Sequence, residues 1–387
     1  MSRSPHFHEP RLEALLPGFA ASAAQRDRAG GHAAAEKAQL RDAGLLNLSI
    51  PKARGGDQLP WPDLYRIIRR LAAVDSALAH VLAFHHLQVI TVLIYGSTTQ
   101  HDALLIPTRE QGLWWGNAMN PLDKRLIATP VAGGYRLSGI KSFCSGARGS
   151  DWMTLAAHVE GHPFPLLAVT PTASTKQLDD WNTIGQRQTD SISVVFEDVF
   201  LPREQVLKQP DVAPAPAHTL RNCFAQLVLV NLYAGIAEGA LTTGIGAVRE
   251  SRAWISAGVD QRTDDPFQQN RVGLLDAQTA GATAAADRAA ELLTLAYEKG
   301  AALTGDERGE ASIAIARAKV LAHQVSLTAS QELFEMTGAR GTGHAEALDR
   351  FWRNARTHTL HDPLDYKLNQ LGRWRLKDEW PNPQFYA

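Results

Sequence analysis

Apolar positions along this chain change their spacing twice, and the changes divide it into three regions. In the first, Leu12, Leu15, Leu16 and Phe19 recur at helical intervals, and so do Leu64, Ile67, Ile68 and Leu71. Between them, Lys37–Gly44 ends in a glycine stop, and LLNLSIPKARGGDQLPW reads as a loop broken by Pro51, Gly55–Gly56 and Pro60. SALAHVLAFHHLQVITVLIYG follows. Apolar on all sides, it predicts a buried helix, in which His80, His85 and His86 must find partners or line a cavity.

From Leu113 to Lys208 the runs shorten to strand length, as in LWWGNAM, DWMTLAAHV, PFPLLAVTP and SISVVFEDVFLP, with Gly133–Gly134 as a hairpin turn. After the proline-rich connector QPDVAPAPA the helical period returns. It predicts one helix from near Phe224 through Trp254, two more over 273–300 and 311–338, and a closing helix over 344–361. The expected architecture is α+β: an all-α region over 1–112, a β-domain or barrel over 113–208, and an antiparallel four-helix bundle over 219–387.

Composition narrows the function classes. The 39 basic residues against 40 acidic ones leave a net charge of −1, so no basic field invites nucleic acid or a membrane surface. The longest apolar runs, such as LVLVNLYAGIA, read as too short to span a bilayer. Cys144 and Cys223 show no C-x-x-C or Cys/His spacing, which implies a reducing compartment and no metal site. The first residues, MSRSPHFHEPRLEALLPG, lack the apolar core of a secretory signal, so a cytoplasmic protein is expected.

The stretch with the clearest chemistry is RFWRNARTHTLHDPLDYK, residues 350–367. Helical geometry places His358 and His361 on one face, one turn apart. Pro363 biases Asp362 away from the helical region, so the helix should end near His361. Two imidazoles and a carboxylate at a helix end suit proton handling near neutral pH; the plain alternative is a surface helix end whose histidines complement the dipole.

Four stretches, taken in order, resemble the acyl-CoA dehydrogenase superfamily. IPKARGGDQ is similar to its P-x-x-x-GG loop, GIKSFCSGA to its G-x-K-x-[FW]-I-[TS]-[NS] strand, and VVFEDVFLP to its F-[DE]-D-V-x-[VL]-P strand; RNARTHTLHDP stands where the family has R-D-A-x-I-x-x-I-Y-E-G-T. The resemblance implies an N-terminal helical domain, a central β-barrel and a C-terminal four-helix bundle. It also implies a homotetramer with flavin between the β-domain and the bundles of two subunits.

Two departures matter. The glutamate base of a FAD-dependent acyl-CoA dehydrogenase is replaced by His361–Asp362, followed by Pro363, and T-E-P-x-A-G-S-D reads GNAMNPLDK. The chain then looks like the flavin-dependent monooxygenase branch, of the dibenzothiophene monooxygenase type. That resemblance implies a two-component enzyme taking reduced FMN (or FAD) from a partner flavin reductase. With O2, through a C4a-hydroperoxyflavin, it would oxygenate a small apolar, organosulfur substrate. Carried over by position, His361 is the C-terminal catalytic histidine, with His358 orienting it, and His86 (or His85) is the N-terminal helix histidine. By the same carry-over Ser145 would lie near flavin N5, Asn117 beside the flavin, and Arg252 and Arg340 at its phosphate, while Trp181 in DDWNTIG would wall the flavin or substrate or sit in the β-domain core. A tyrosine expected four residues beyond the helix histidine is Ile90, or Val89 if His85 is the match. No G-x-G-x-x-G follows a strand, in keeping with an external reductase. A catalytically silent relative is the remaining reading, and the polar groups kept at every aligned position argue against it.

Overall fold

The computed structural model describes residues 9–383. Residues 1–8, which begin the segment read above for a secretory signal, lie outside the described residues. Five helices come first: α1 (Pro10–Ala29), α2 (Ala34–Asp42), α3 (Trp61–Val74), α4 (Ser76–Tyr95) and α5 (Thr98–Gln111). The Asp75 carboxylate starts α4 by accepting from the N–H groups of Ala77 and Leu78, at 3.0 Å each. Every side chain from Ser76 to Val92 is then buried, as its all-round apolarity requires.

Eight strands follow as two four-stranded sheets, one ordered β1 (Trp115–Ala118), β4 (Trp152–Ala157), β5 (Leu166–Pro171), β8 (Val206–Lys208). The other runs β2 (Ile127–Val131), β3 (Gly134–Cys144), β7 (Ile192–Pro202), β6 (Lys176–Gln177). Both contribute to a single core that includes Leu137, Cys144, Leu155, Ala168 and Phe196. The expected barrel is therefore not found: among the described residues the sheets meet through an isolated bridge, Ile127–His158, and do not close. The hairpin at Gly133–Gly134 does join β2 to β3. Register shifts beside Gly139 and before Cys144 bend β3 and aim its end toward the helices.

The last region holds α6 (Pro216–Arg249), α7 (Pro266–Glu298), α8 (Gly305–Thr337), α9 (Asp349–Thr359) and α10 (Leu364–Lys377). Its boundaries differ from expectation in three places. α6 stops at Arg249 rather than running through Trp254; the Ser251 hydroxyl turns back to the Ala247 carbonyl (2.7 Å), and Arg252 bridges to Gln261. α7 starts at Pro266, capped by Asp265, earlier than its apolar period suggested. The closing helix is shorter than 344–361, and Pro363, read as a stop, is also the residue from which α10 begins. The fourth place of the bundle is thus shared by α9 and α10.

α4 and α6 are each long and apolar enough to cross a membrane, against the expectation that no run was; 89% of each apolar stretch is buried inside the protein. The close approach of α6 to α3 explains part of this. A Cβ on Gly235 would lie 2.4 Å from the Arg69 carbonyl oxygen, and one on Gly239 2.1 Å from that of Ala73. One apolar core extends from Leu12 of α1 to Ala355 of α9, joining both helical regions.

Candidate active site

One turn into α4, His80 stacks on Phe84 (ring centroids 4.1 Å apart) and faces His358 of α9 at 4.7 Å. Both histidines are buried. Among the described residues, neither ring nitrogen of His80 nor Nδ1 of His358 has a hydrogen-bond partner. Desolvation holds both rings neutral, pushing His80 well below the ordinary histidine value and His358 down to about 3. Unpaired buried polar atoms cost about 1–3 kcal/mol each, so two such rings face to face point to a ligand.

His361 leaves the last turn of α9, its N–H donating to the His358 carbonyl (3.0 Å). Its outer surface is open, yet the protein around its ring and the charge of Lys319 draw its pKa below normal, with Asp362 opposing. Asp362 turns inward. Lys319 of α8, wholly buried, donates to the Asp362 carboxylate at 2.7 Å and to Gln226 at 2.6 Å, and Lys367 stands 3.9 Å from the same carboxylate. A groove of about 1040 Å³ reaches Asp362 from outside, between Leu122 and Phe164 of the β-region and Tyr366 and Trp380.

The β side is fixed by a chain of hydroxyls. The Ser145 hydroxyl, just past β3, lies 3.1 Å from that of Ser191, which lies 2.8 Å from that of Thr189. Thr189 and Trp181 Nε1 both donate to the Gln186 carbonyl, at 3.0 and 2.9 Å. The Gln186 N–H donates to Asn354 Oδ1 of α9 (2.6 Å), one turn before His358, and its side-chain amide donates to Ser76 of α4 (3.1 Å). Segment 185–191 therefore binds the end of β3 to the helices that carry His80 and His358. Asn117 of β1 joins through its N–H, which donates to the Ser145 carbonyl at 3.0 Å, and its side-chain oxygen lies 3.5 Å from Arg221. Phe143, two residues before Ser145, has φ 58° and is 69% exposed, with its ring edge-on to Trp181 at 6.0 Å. A strained backbone holding an aromatic in the open is a feature of ligand sites.

Family models for the acyl-CoA dehydrogenase N-terminal domain and C-terminal domain match residues 18–110 and 227–366. The chain belongs to the acyl-CoA dehydrogenase family. It is 41% identical over 377 residues to a probable FMNH2-dependent monooxygenase, SfnC, of Pseudomonas putida, covering 96% of this chain and 95% of that one. It is 38% identical to a dibenzothiophene monooxygenase of Rhodococcus qingshengii over 389 residues, 96% and 93% of the two chains. Among solved structures, methanesulfinate monooxygenase MsuC of Pseudomonas fluorescens superposes with a TM-score of 0.95 at 40% identity, covering 98% of this chain and all of that one. This acyl-CoA dehydrogenase family member lies in the flavin-dependent monooxygenase branch.

Within that frame the sequence assignments separate. Ser145, Asn117, Trp181 and His358 converge on one junction, with His361 on its rim. His86 does not: fully buried, its Nδ1 pairs with the Ser49 hydroxyl (2.8 Å) and its Nε2 with the Leu45 carbonyl (3.0 Å). His85, the other option, is equally engaged, by the Leu46 carbonyl (3.0 Å) and the Trp115 N–H (3.3 Å). The α4 histidine at the junction is His80, and four residues beyond it stands Phe84, an aromatic, rather than Ile90 or Val89. In the sequence, His80 is marked only by Phe84 one helical turn later, a weaker signal than the adjacent His85–His86 pair.

Arg252 and Arg340 are exposed. They lie where the ends of α6 and α8 are tied together by Arg262, which donates to the Glu335 carbonyl at 2.7 Å. Among the described residues, no hydrogen bond or ion pair joins either to Ser145, Asn117 or the histidines. Lys319 and Phe143 were missed in the sequence. A lysine in an apolar helical stripe and a phenylalanine in a strand carry no local mark of their partners or backbone angle.

Proposed function

We propose that this chain is the oxygenase component of a two-component system, a monooxygenase that receives reduced FMN from a separate flavin reductase and oxygenates a small organosulfur compound. The observation that carries the reading is the state of Asp362. A dehydrogenase needs a free carboxylate there to take a proton from its substrate, and here the carboxylate is held in a buried ion pair with Lys319. What faces the junction instead is neutral imidazole, which both donates and accepts hydrogen bonds. The similarity to SfnC, to the dibenzothiophene enzyme and to MsuC supports the same reading.

The residues present suit the flavin. Ser145, with its hydroxyl ordered by Ser191, Asn117, Phe143 and Trp181 would hold and wall the ring, and reduced FMN bound there supplies the activation of O2. Arg252 and Arg340 would clamp its phosphate from a neighbouring subunit, which makes a homotetramer part of the proposal. His361, on the rim, hands over or accepts the proton, while the buried His80, His358 and Phe84 exclude water and hold the substrate. Apolar lining and few convergent polar groups fit a small sulfur compound. Both cysteines are buried free thiols, in keeping with a cytoplasmic setting.

The test supplies the purified protein with NADH, FMN and O2, with and without a flavin reductase, and a panel of organosulfur compounds. Oxygenated product should appear only with the reductase, and reduced FMN should bind more tightly than oxidised FMN. NADH oxidation without the reductase, or rapid anaerobic flavin reduction by an acyl-CoA, would overturn the reading.

A further inference from the structure

We infer that the buried Lys319–Asp362 ion pair is a clamp that positions His361, making Lys319 a positioning residue although it lies under the site rather than in it. The inference rests on the reading of His361 as the group that moves the proton. The turn over residues 360–362 lies between helices, α9 ending at Thr359 and α10 starting at Leu364, with the His361 N–H donating back to the His358 carbonyl at 3.0 Å. Its N-terminal side is fixed by Tyr233, whose hydroxyl donates to the His358 carbonyl at 2.9 Å. Its C-terminal side is fixed by Asp362, the residue bonded directly to His361. Lys319 ties that side, since its ammonium reaches Asp362 at 2.7 Å and is itself steadied by Gln226 at 2.6 Å.

An ion pair sealed from water is a costly way to fix a turn; well-packed apolar side chains would do it at least as well. What apolar side chains would not supply is opposed charge beside an imidazole. The groups that act on His361 are His358 on α9, Asp362 beside it, Lys319 on α8 and His80 on α4. The ion pair itself is faced by His323 on α8, Lys367 on α10 and Tyr233 on α6, and His323 in turn by Arg356 and Asp365. Of these, Lys319 disfavours the imidazolium and Asp362 favours it, so the pair holds His361 between two opposing influences.

The clamp makes a prediction that a purely structural pair does not. In protein carrying ¹³C-labelled histidine and no flavin, the His361 titration, assigned by its loss in His361→Gln, should move upward in Lys319→Met and downward in Asp362→Asn. Coupled turnover, measured as product per O2 consumed, should fall about 10–100-fold in both, as it does when a reacting group is displaced by an ångström or so. The apolar pair Lys319→Met with Asp362→Leu should keep the parental melting temperature and still uncouple. The clamp is overturned if the two single variants shift His361 in the same direction or not at all, or if the apolar pair couples normally. Should Lys319→Met fail to fold, the near-isosteric Asp362→Asn decides alone, and an upward or absent shift rejects the clamp. His361→Ala, measured beside the clamp variants, separates the two ideas. Normal coupling in His361→Ala itself rejects the reading of His361, whereas uncoupling there with parental behaviour in the clamp variants rejects only the clamp.

Discussion

Two histidine pairs form at helix α4, one within it and one between it and α9, and the contrast between them lies in how a buried imidazole is satisfied. His85 and His86 meet edge to face at 4.9 Å, with their ring nitrogens engaged by Leu45, Leu46, Ser49 and Trp115. His80 meets His358 at 4.7 Å, with three of the pair's ring nitrogens unpartnered among the described residues. Burial is the same in both, and so is the direction in which burial drives the pKa. What differs is hydrogen-bond satisfaction, which under the proposed function makes the first pair packing and the second a ligand contact.

The largest effect should come from the rim of the second pair. His361→Ala is expected to lower coupled product formation by about 10²–10⁴-fold with little change in melting temperature, because a lost proton donor costs rate and not folding. Normal turnover would return the role to His80. The next test exchanges the pairs. His86→Ala should cost about 2–4 kcal/mol in denaturant unfolding, since it opens a cavity and strands the Leu45 carbonyl and the Ser49 hydroxyl. His80→Phe should fold as well as the parent, having lost only unpaired polar atoms, yet lose most of its coupling. Equal destabilisation by both would erase the distinction.

The smallest effect is one of pH. A histidine kept neutral in the folded state binds its proton more readily when unfolded, so stability falls as pH drops below the ordinary histidine value. For His358, whose folded value is about 3, the loss between pH 7 and pH 5 comes to about 2 kcal/mol. The melting temperature of His358→Phe should depend correspondingly less on pH over that range. A parallel dependence would mean that folding leaves the proton affinity of His358 unchanged over that range.

The helical regions were legible because side-chain period reports burial directly, and α4 and α6 bury the runs that the sequence marked. The two-sheet form of the β-region was not legible, since short alternating strands read alike whether a sheet closes or not. Likewise Pro363 ends one helix and precedes another, and local rules see only the end. Motif position, a signal that survives without knowledge of contacts, singled out Ser145 and Asn117, which the fold brings to one junction with a direct backbone hydrogen bond. Lys319 lies 43 residues from the carboxylate it holds. No spacing rule reaches that far.

The glycines of α6 also bear on how such a protein can be divided. Gly235 and Gly239 let the backbone of α6 lie against that of α3, where even a methyl group would collide with a carbonyl oxygen. Two segments more than 150 residues apart in sequence are therefore matched to each other at the level of the main chain. A chimera that takes α1–α5 from one relative and the bundle from another inherits a mating surface shaped by two histories, whatever the identity of the parents. Exchange should succeed when α3 and α6 travel together and fail when a crossover parts them, so the useful recombination unit here is non-contiguous along the gene.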